Sequence, residues 1–173
     1  MRSSRPTSMD APAEHTFLFA DLVGYTAFTE RVGDEAAADV AIAFQAAAAH
    51  AAVALGCEVV KELGDAVMIH GHDAARVMTL ALRLRRELGS EGWCPPLRIG
   101  IHSGPAVRRG RDWYGATVNV AARLADGATA GEILMSLRTR DLLTQQTGVT
   151  LAERGRRSFK NVTAPMAVFA AAA

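Results

Sequence analysis

The sequence has little cysteine, few aromatic residues and almost no net charge. Cys57 and Cys94 are its two cysteines among 173 residues. Two thiols do not build the disulfide framework of a small secreted domain, and no CxxC pair is present. A reduced, cytoplasmic setting is expected. Nineteen Lys and Arg against eighteen Asp and Glu give a formal net charge of +1. That balance carries no general footprint for nucleic acid or for an acidic membrane surface, so neither is expected as a partner. The common phosphate and nucleophile signatures are missing as well. There is no GxxxxGK loop and no GxGxxG after a strand. Ser103, in His-Ser-Gly, lacks the GxSxG elbow. Residues 1–14 hold almost no large apolar side chain. They lack the core of a secretory signal and are expected to form a disordered tail. Asp39, Gln45 and His50 interrupt the Ala-rich stretch 36–55, and alanine contributes little to membrane insertion, so a soluble helix is expected there.

What is present is ordinary for a globular domain. Half the residues are hydrophobic and 21% are charged, in a chain long enough to close a substantial core. One domain over 15–173 is expected, with no internal repeat, no second-domain linker and no regulatory domain before it. Residues 15–22 read as a strand. A turn and short helical segment follow over 24–32. Asp34 is expected to cap a helix running to about Leu55 and stopped by Gly56. Strands over 57–61 and 66–70 flank Glu62-Leu63-Gly64-Asp65, a hairpin signal. Asp73 is expected to cap a second helix that Gly89 ends. Val77, Leu80, Leu84 and Leu88 recur on it at helical spacing. After a loop, 97–102 alternates like a half-buried strand. Residues 106–112 follow as a short basic strand or hairpin arm. A third helix is expected over 117–125, a strand over 132–135, a helix over 137–146 and terminal strands over 149–160 and 166–170. Mixed strands, helices and hairpins predict an α+β fold, with helices packed on a largely antiparallel sheet.

Two acids stand at the edges of apolar strands. Asp21 ends Phe17-Leu18-Phe19-Ala20-Asp21, and Asp65 precedes Ala66-Val67-Met68-Ile69. A carboxylate is rarely buried unpaired, because its desolvation costs several kcal/mol or more. A shared hard divalent cation with oxygen ligands would satisfy both. Alternatively, Asp21 caps the turn before Thr26 and Asp65 belongs to a Gly-Asp hairpin turn. Asn119 and Arg123, four residues apart on the third helix, share a face on which they could orient a sugar and neutralise a phosphate. A solvated polar face is the plainer alternative. Lys61 is either the salt-bridge partner of Asp65 or points to a different site. An Asp with a Lys matches adenine: Asp112 would accept from the exocyclic amine and Lys61 would donate to a ring nitrogen. Arg108, Arg109 and Arg111, and Arg154, Arg156 and Arg157, are expected to be solvated surface. Lys160, between Phe159 and Val162 on an expected strand, could hold a polyphosphate. His70 and His72 are expected to point to opposite faces of a strand, a stray pair and not a metal site.

Several of these segments together carry a resemblance. Phe19-Ala20-Asp21-Leu22-Val23-Gly24-Tyr25-Thr26, Lys61-Glu62-Leu63-Gly64-Asp65, Leu97-Arg98-Ile99-Gly100-Ile101-His102-Ser103-Gly104-Pro105 and Asp112-Trp113-Tyr114-Gly115-Ala116-Thr117-Val118-Asn119-Val120-Ala121-Ala122-Arg123 resemble, in order, motifs of the class III nucleotidyl cyclase catalytic domain. Phe159-Lys160-Asn161-Val162 resembles its C-terminal phosphate-binding motif. Five motifs in order are a strong signal. The resemblance implies a ferredoxin-like βαββαβ core with added strands and helices. It also implies a head-to-tail homodimer with active sites between two chains. By the same resemblance Asp21 and Asp65 hold two Mg²⁺ ions, for which Mn²⁺ can substitute. Lys61 and Asp112 match the positions that read adenine, where guanylyl cyclases usually carry an acidic and a small residue. Asn119 resembles the ribose-orienting residue, Arg123 the residue facing the α-phosphate and Lys160 the terminal-phosphate lysine. The implied activity is conversion of ATP to 3′,5′-cyclic AMP and pyrophosphate. A guanylyl or relaxed-specificity cyclase and a non-catalytic nucleotide-binding module are the other classes the motifs admit. One element departs from the family's pattern. Residues 106–111 are much shorter than the usual hairpin arm, so the Asp112 match depends on counting back from Gly115.

Overall fold

Phe17, Leu18, Ala20 and Leu22 are all buried because both faces of their strand are covered. In the computed structural model, which describes residues 14–89, 92–143 and 148–172, this strand is β1, His15–Leu22. Helices α1 (Tyr25–Val32) and α2 (Asp34–Ala54) follow, then strands β2 (Glu58–Glu62) and β3 (Ala66–Gly71), helix α3 (Ala74–Gly89) and strand β4 (Leu97–Gly104). A ribbon of β5 (Val107–Arg109) and β6 (Asp112–Tyr114) leads into α4 (Ala116–Asp126). The chain ends with β7 (Ile133–Ser136), α5 (Leu137–Leu142), β8 (Leu151–Arg157) and β9 (Met166–Ala171).

The main sheet has seven strands in the order β2-β3-β1-β4-β7-β9-β8. Its first four strands, with α2 and α3 as the crossovers, form the ferredoxin-like βαββαβ unit. Among the described residues only β4 and β7 pair in parallel; the other neighbours are antiparallel. Leu18, Ala20 and Leu22 point into a core shared with Phe44 and Ala48 of α2 and with Val77, Leu80 and Leu84 of α3. Phe17 points the other way, into a second cluster with Met68, Trp113, Val118 and Ala121. This alternation is the strand's period of two serving two layers. Each large apolar side chain so buried contributes about 1.5–3 kcal/mol.

Gly100 sets how closely α4 approaches β4. A Cβ there would stand 2.1 Å from the Ala125 nitrogen and 2.4 Å from the Ala121 carbonyl oxygen. With no side chain at this position, the helix backbone lies directly on the strand.

Most expected elements form, with local differences. Asp34 is the first residue of α2, and Gly33 takes the capping position without a side-chain hydrogen bond. Asp73 does cap α3, its Oδ1 accepting from the Ala75 amide at 2.8 Å. The basic arm is two short strands, Val107–Arg109 and Asp112–Tyr114, turned at Gly110 with φ 62. Strand β8 ends at Arg157, so Lys160 sits in a turn and not on a strand. α2 is long and apolar enough to cross a membrane by length and composition, and its Phe44, Ala48, Ala51 and Ala52 are fully buried in the core. Of the expected tail only Glu14 is described, and it pairs with Arg138. Residues 144–146, the end of the fourth expected helix, lie outside the described residues.

Candidate active site

Asp21 lies near the end of β1, directly opposite Ala66 on one side and Arg98 on the other. The Arg98 Nε donates to Asp21 Oδ2 at 2.6 Å, and its Nη2 contacts the same oxygen. The carboxylate is only 18% exposed. Burial raises the Asp21 pKa from its ordinary value; Arg98 pulls it down, while the Asp65 and Asp126 charges push it up. Asp65 is therefore within electrostatic reach of Asp21. Backbone geometry explains why. The Leu22 amide donates to the Asp65 carbonyl at 3.1 Å, which ties the β2–β3 turn to the end of β1. The Gln45 amide donates to the Gly64 carbonyl at 2.7 Å and holds the same turn from α2.

Lys61 does not pair with Asp65. Its Nζ lies 2.6 Å from Asp112 Oδ2 on β6. An irregularity in β2 makes this possible. The register runs Val59↔Ile69 and then Lys61↔Met68, so Val60 is an extra residue. In a regular strand Lys61 would oppose Val67 and face the α2–α3 core. The bulge turns it to the face that carries Met68 and Trp113. The Trp113 amide donates to Asp112 Oδ1 at 2.8 Å, so both carboxylate oxygens are engaged. The hydrogen bond from Lys61, first among several causes, lowers the Asp112 pKa.

Asn119 is exposed on α4 and Arg123 is partly buried one turn later. Arg123 Nη1 donates to Asp126 Oδ2 at 2.8 Å. Asp126 also lies 3.9 Å from Arg98, whose Nη1 donates to the Asp126 carbonyl at 3.2 Å. A charge chain thus runs from Arg123 through Asp126 and Arg98 to Asp21. Lys160 is exposed, in a turn where Asn161 adopts φ 64 and the Val162 amide donates to the Phe159 carbonyl at 3.1 Å. Phe159 packs beside Leu124 and Val120 of α4, which anchors the turn to that helix.

The structure therefore joins Lys61 to Asp112 and brings Asp65 to Asp21. No hydrogen bond or ion pair among the described residues links Asn119 or Lys160 to the other five. Four concavities of about 340 to 840 Å³ are lined by other side chains, and none contains any of the seven. Arg98 and Asp126 were not singled out from the sequence. The signal for Arg98 was its place in Leu97-Arg98-Ile99-Gly100, but only the β1–β4 register shows that it faces Asp21. The Asp pair suits a hard divalent cation. Both donors are carboxylate oxygens, they share one electrostatic environment, and Arg98 engages Asp21 through Oδ2 alone.

Comparisons with known proteins show the family and the fold. The chain belongs to the adenylate and guanylate cyclase catalytic domain family, whose model matches residues 8–170. It is 36% identical over 130 residues to an adenylate cyclase of Streptomyces coelicolor, covering 71% of this chain and 34% of that one. It is 37% identical over 128 residues to a pH-sensitive adenylate cyclase of Mycobacterium tuberculosis, covering 74% and 32% respectively. The chain thus spans about a third of the length of these relatives. Its fold is similar to that of the adenylyl cyclase CyaB from Pseudomonas aeruginosa, with TM-score 0.79, 23% identity and coverage of 92% and 94% of the two chains.

Proposed function

We propose that this chain is an adenylate cyclase that converts ATP to 3′,5′-cyclic AMP and pyrophosphate in sites shared between two copies. The observation that carries the proposal is the Lys61–Asp112 pair at 2.6 Å, set in a chain of the cyclase family. Lys61 supplies a donor for a ring nitrogen of adenine, and Asp112 accepts from the exocyclic amine. Guanine presents the opposite donors and acceptors at those edges.

The reaction forms a bond from O3′ to the α-phosphorus and breaks the bond from that phosphorus to the bridging oxygen of the β-phosphate. Pyrophosphate leaves with that oxygen, and the 3′-hydroxyl proton passes to solvent. Asp21 and Asp65 would hold divalent cations, magnesium or manganese. When bound, such ions supply Lewis-acid activation of the hydroxyl and charge neutralisation on the triphosphate. Asn119 holds the ribose near the attack geometry. Arg123 exchanges Asp126 for the α-phosphate and stabilises the charge that develops there. Lys160 binds the terminal phosphate.

A shared site is also consistent with the four described concavities of a single chain being lined by none of the seven residues. In a head-to-tail pair, Asp21 and Asp65 of one copy face Lys61, Asp112, Asn119, Arg123 and Lys160 of the other. The reaction belongs in the cytoplasm, where its substrate is supplied. The test is the rate of cyclic AMP and pyrophosphate release from ATP, and from GTP, at rising protein concentration. Specific activity that climbs with concentration, with ATP preferred, supports the proposal. Nucleotide binding without pyrophosphate release defeats it.

A further inference from the structure

We propose that His15, His70 and His72 form a site for a single borderline transition-metal ion of the zinc class, separate from the carboxylate pair. The ligating nitrogens of these three side chains all lie within 4.8 Å of one another. His15 Nδ1 stands 3.1 Å from His70 Nε2. Two nitrogens on one tetrahedral ion at about 2.0–2.1 Å would be roughly 3.3 Å apart. The pair is therefore already spaced as ligands of one centre, and His72, within 4.8 Å, would move in by at most about 1.5 Å.

The backbone makes this cluster. β1 and β3 pair with Thr16 opposite Gly71 and Phe17 opposite His70. Continued by one residue, that register sets His15 beside His72, and their rings are 5.4 Å apart. The expectation that His70 and His72 point to opposite faces is thereby corrected; their ring centroids are 4.7 Å apart. Residues two apart on a strand share a face; only immediate neighbours oppose.

The surroundings are those of a ligand set. His70 offers Nε2 to the cluster, and its Nδ1 lies 3.8 Å from Glu58 Oε2 on the adjacent strand. At 3.8 Å this is no hydrogen bond, but a shift of about 1 Å would let Glu58 orient the ring as a carboxylate does behind a ligating imidazole. Glu58 is itself held by Arg108 at 2.8 Å. Trp113 packs against both buried imidazoles, with ring centroids 4.3 Å from His70 and 4.4 Å from His15. Its Nε1–H is the one buried side-chain polar atom without a partner among the described residues. His15 and His70 are buried, while His72 is exposed and gives an ion its way in. Three imidazoles leave a fourth position for water.

The site is chemically and spatially distinct from the aspartates. Imidazole nitrogens favour Zn²⁺, Co²⁺ and Ni²⁺, whereas Mg²⁺ demands oxygen. His15 precedes Asp21 by six residues on β1, about 20 Å along an extended strand. An ion here would lock β1 to β3. Through Trp113 and the Glu58–Arg108 pair it would also brace the β5–β6 ribbon, which carries Asp112.

The test uses the full chain stripped by a chelator, with Co²⁺ as the probe and its visible absorption as the readout. The expected result is one Co²⁺ per chain with the bands of a nitrogen-ligated ion, displaced by Zn²⁺ and not by millimolar Mg²⁺. Glu58→Gln should weaken binding by about 10-fold, and His72→Ala, a change at an exposed side chain that removes a ligand outright, should weaken it more. The paired change Asp21→Asn with Asp65→Asn should leave the bands in place. No stoichiometric uptake, uptake that His72→Ala leaves unchanged, or bands lost in the aspartate variant would overturn the site. Any of these would mean that His15 and His70 are only hydrogen-bonded core imidazoles.

Discussion

Lys61 crosses from β2 to the β5–β6 ribbon and meets Asp112 with 2.6 Å between Nζ and Oδ2. It arrives there because Val60 bulges out of the β2–β3 ladder. The pair is held in place before any nucleotide binds, so base recognition should be strict. Replacing both partners, with Lys61→Glu and Asp112→Ser, should lower the ratio of ATP to GTP kcat/KM by about 10²-fold or more, since a site built to hydrogen-bond one partner rejects a mismatched one strongly. Steady-state turnover of the two nucleotides measures it. An unchanged ratio would detach this pair from base selection.

Burial and Arg98 act in opposite directions on the ionisation of Asp21. Burial raises the Asp21 pKa and Arg98 opposes the rise. Asp21 must be ionised to hold a cation, so activity should be present above its pKa and fall as the pH drops through it. That loss should come at higher pH than for an ordinary aspartate. Arg98→Gln removes the lowering influence and should move the acid limb of the kcat/KM profile upward. An acid limb that does not move in Arg98→Gln would show that Asp21 does not set it.

Sites shared between copies predict complementation. Asp21→Ala and Arg123→Ala should each be nearly inactive. In a mixture, random pairing makes half the dimers mixed, and each mixed dimer keeps one of two sites, so about a quarter of the unmodified activity should return. Mixed dimers confirmed by mass but inactive would rule out the shared arrangement.

His102 ties stability to pH. Its Nδ1 lies 2.7 Å from the Ser136 hydroxyl. Burial, and then the Arg138 charge, lower its pKa from 6.5 to about 4, against a small opposing effect of Glu14. The neutral ring is favoured in the folded state. This contribution is fully present above about pH 6.5 and is lost as the pH falls toward about 4, because the unfolded chain takes up the proton first. His102 alone should cost about 2 kcal/mol of stability between pH 7 and pH 5. Urea unfolding at the two values should show at least this loss, because His70 is lowered to about 4 as well. His102→Asn, which cannot titrate, should be less sensitive to pH by a similar amount.

Much of this protein is local and therefore readable in order. Apolar periodicity in Val77, Leu80, Leu84 and Leu88 and the cap at Asp73 mark α3, because helix formation depends on neighbours a few residues away. The family follows from ordered motifs around Asp21, Asp65, Asn119 and Lys160 for the same reason. The tertiary structure decided the rest, since register and contact across the sheet join residues far apart in the chain. Lys61 alone was compatible with Asp65 or with a separate site, and a single bulge selected Asp112. Lys160 looked like a strand residue until β8 ended at Arg157. Arg98 became the partner of Asp21, and His15 that of His70, only when β1 took its place between β3 and β4. Side-chain chemistry is written residue by residue, but which charges and imidazoles meet depends on strand pairing, and a shift of one position sends every side chain to the opposite face.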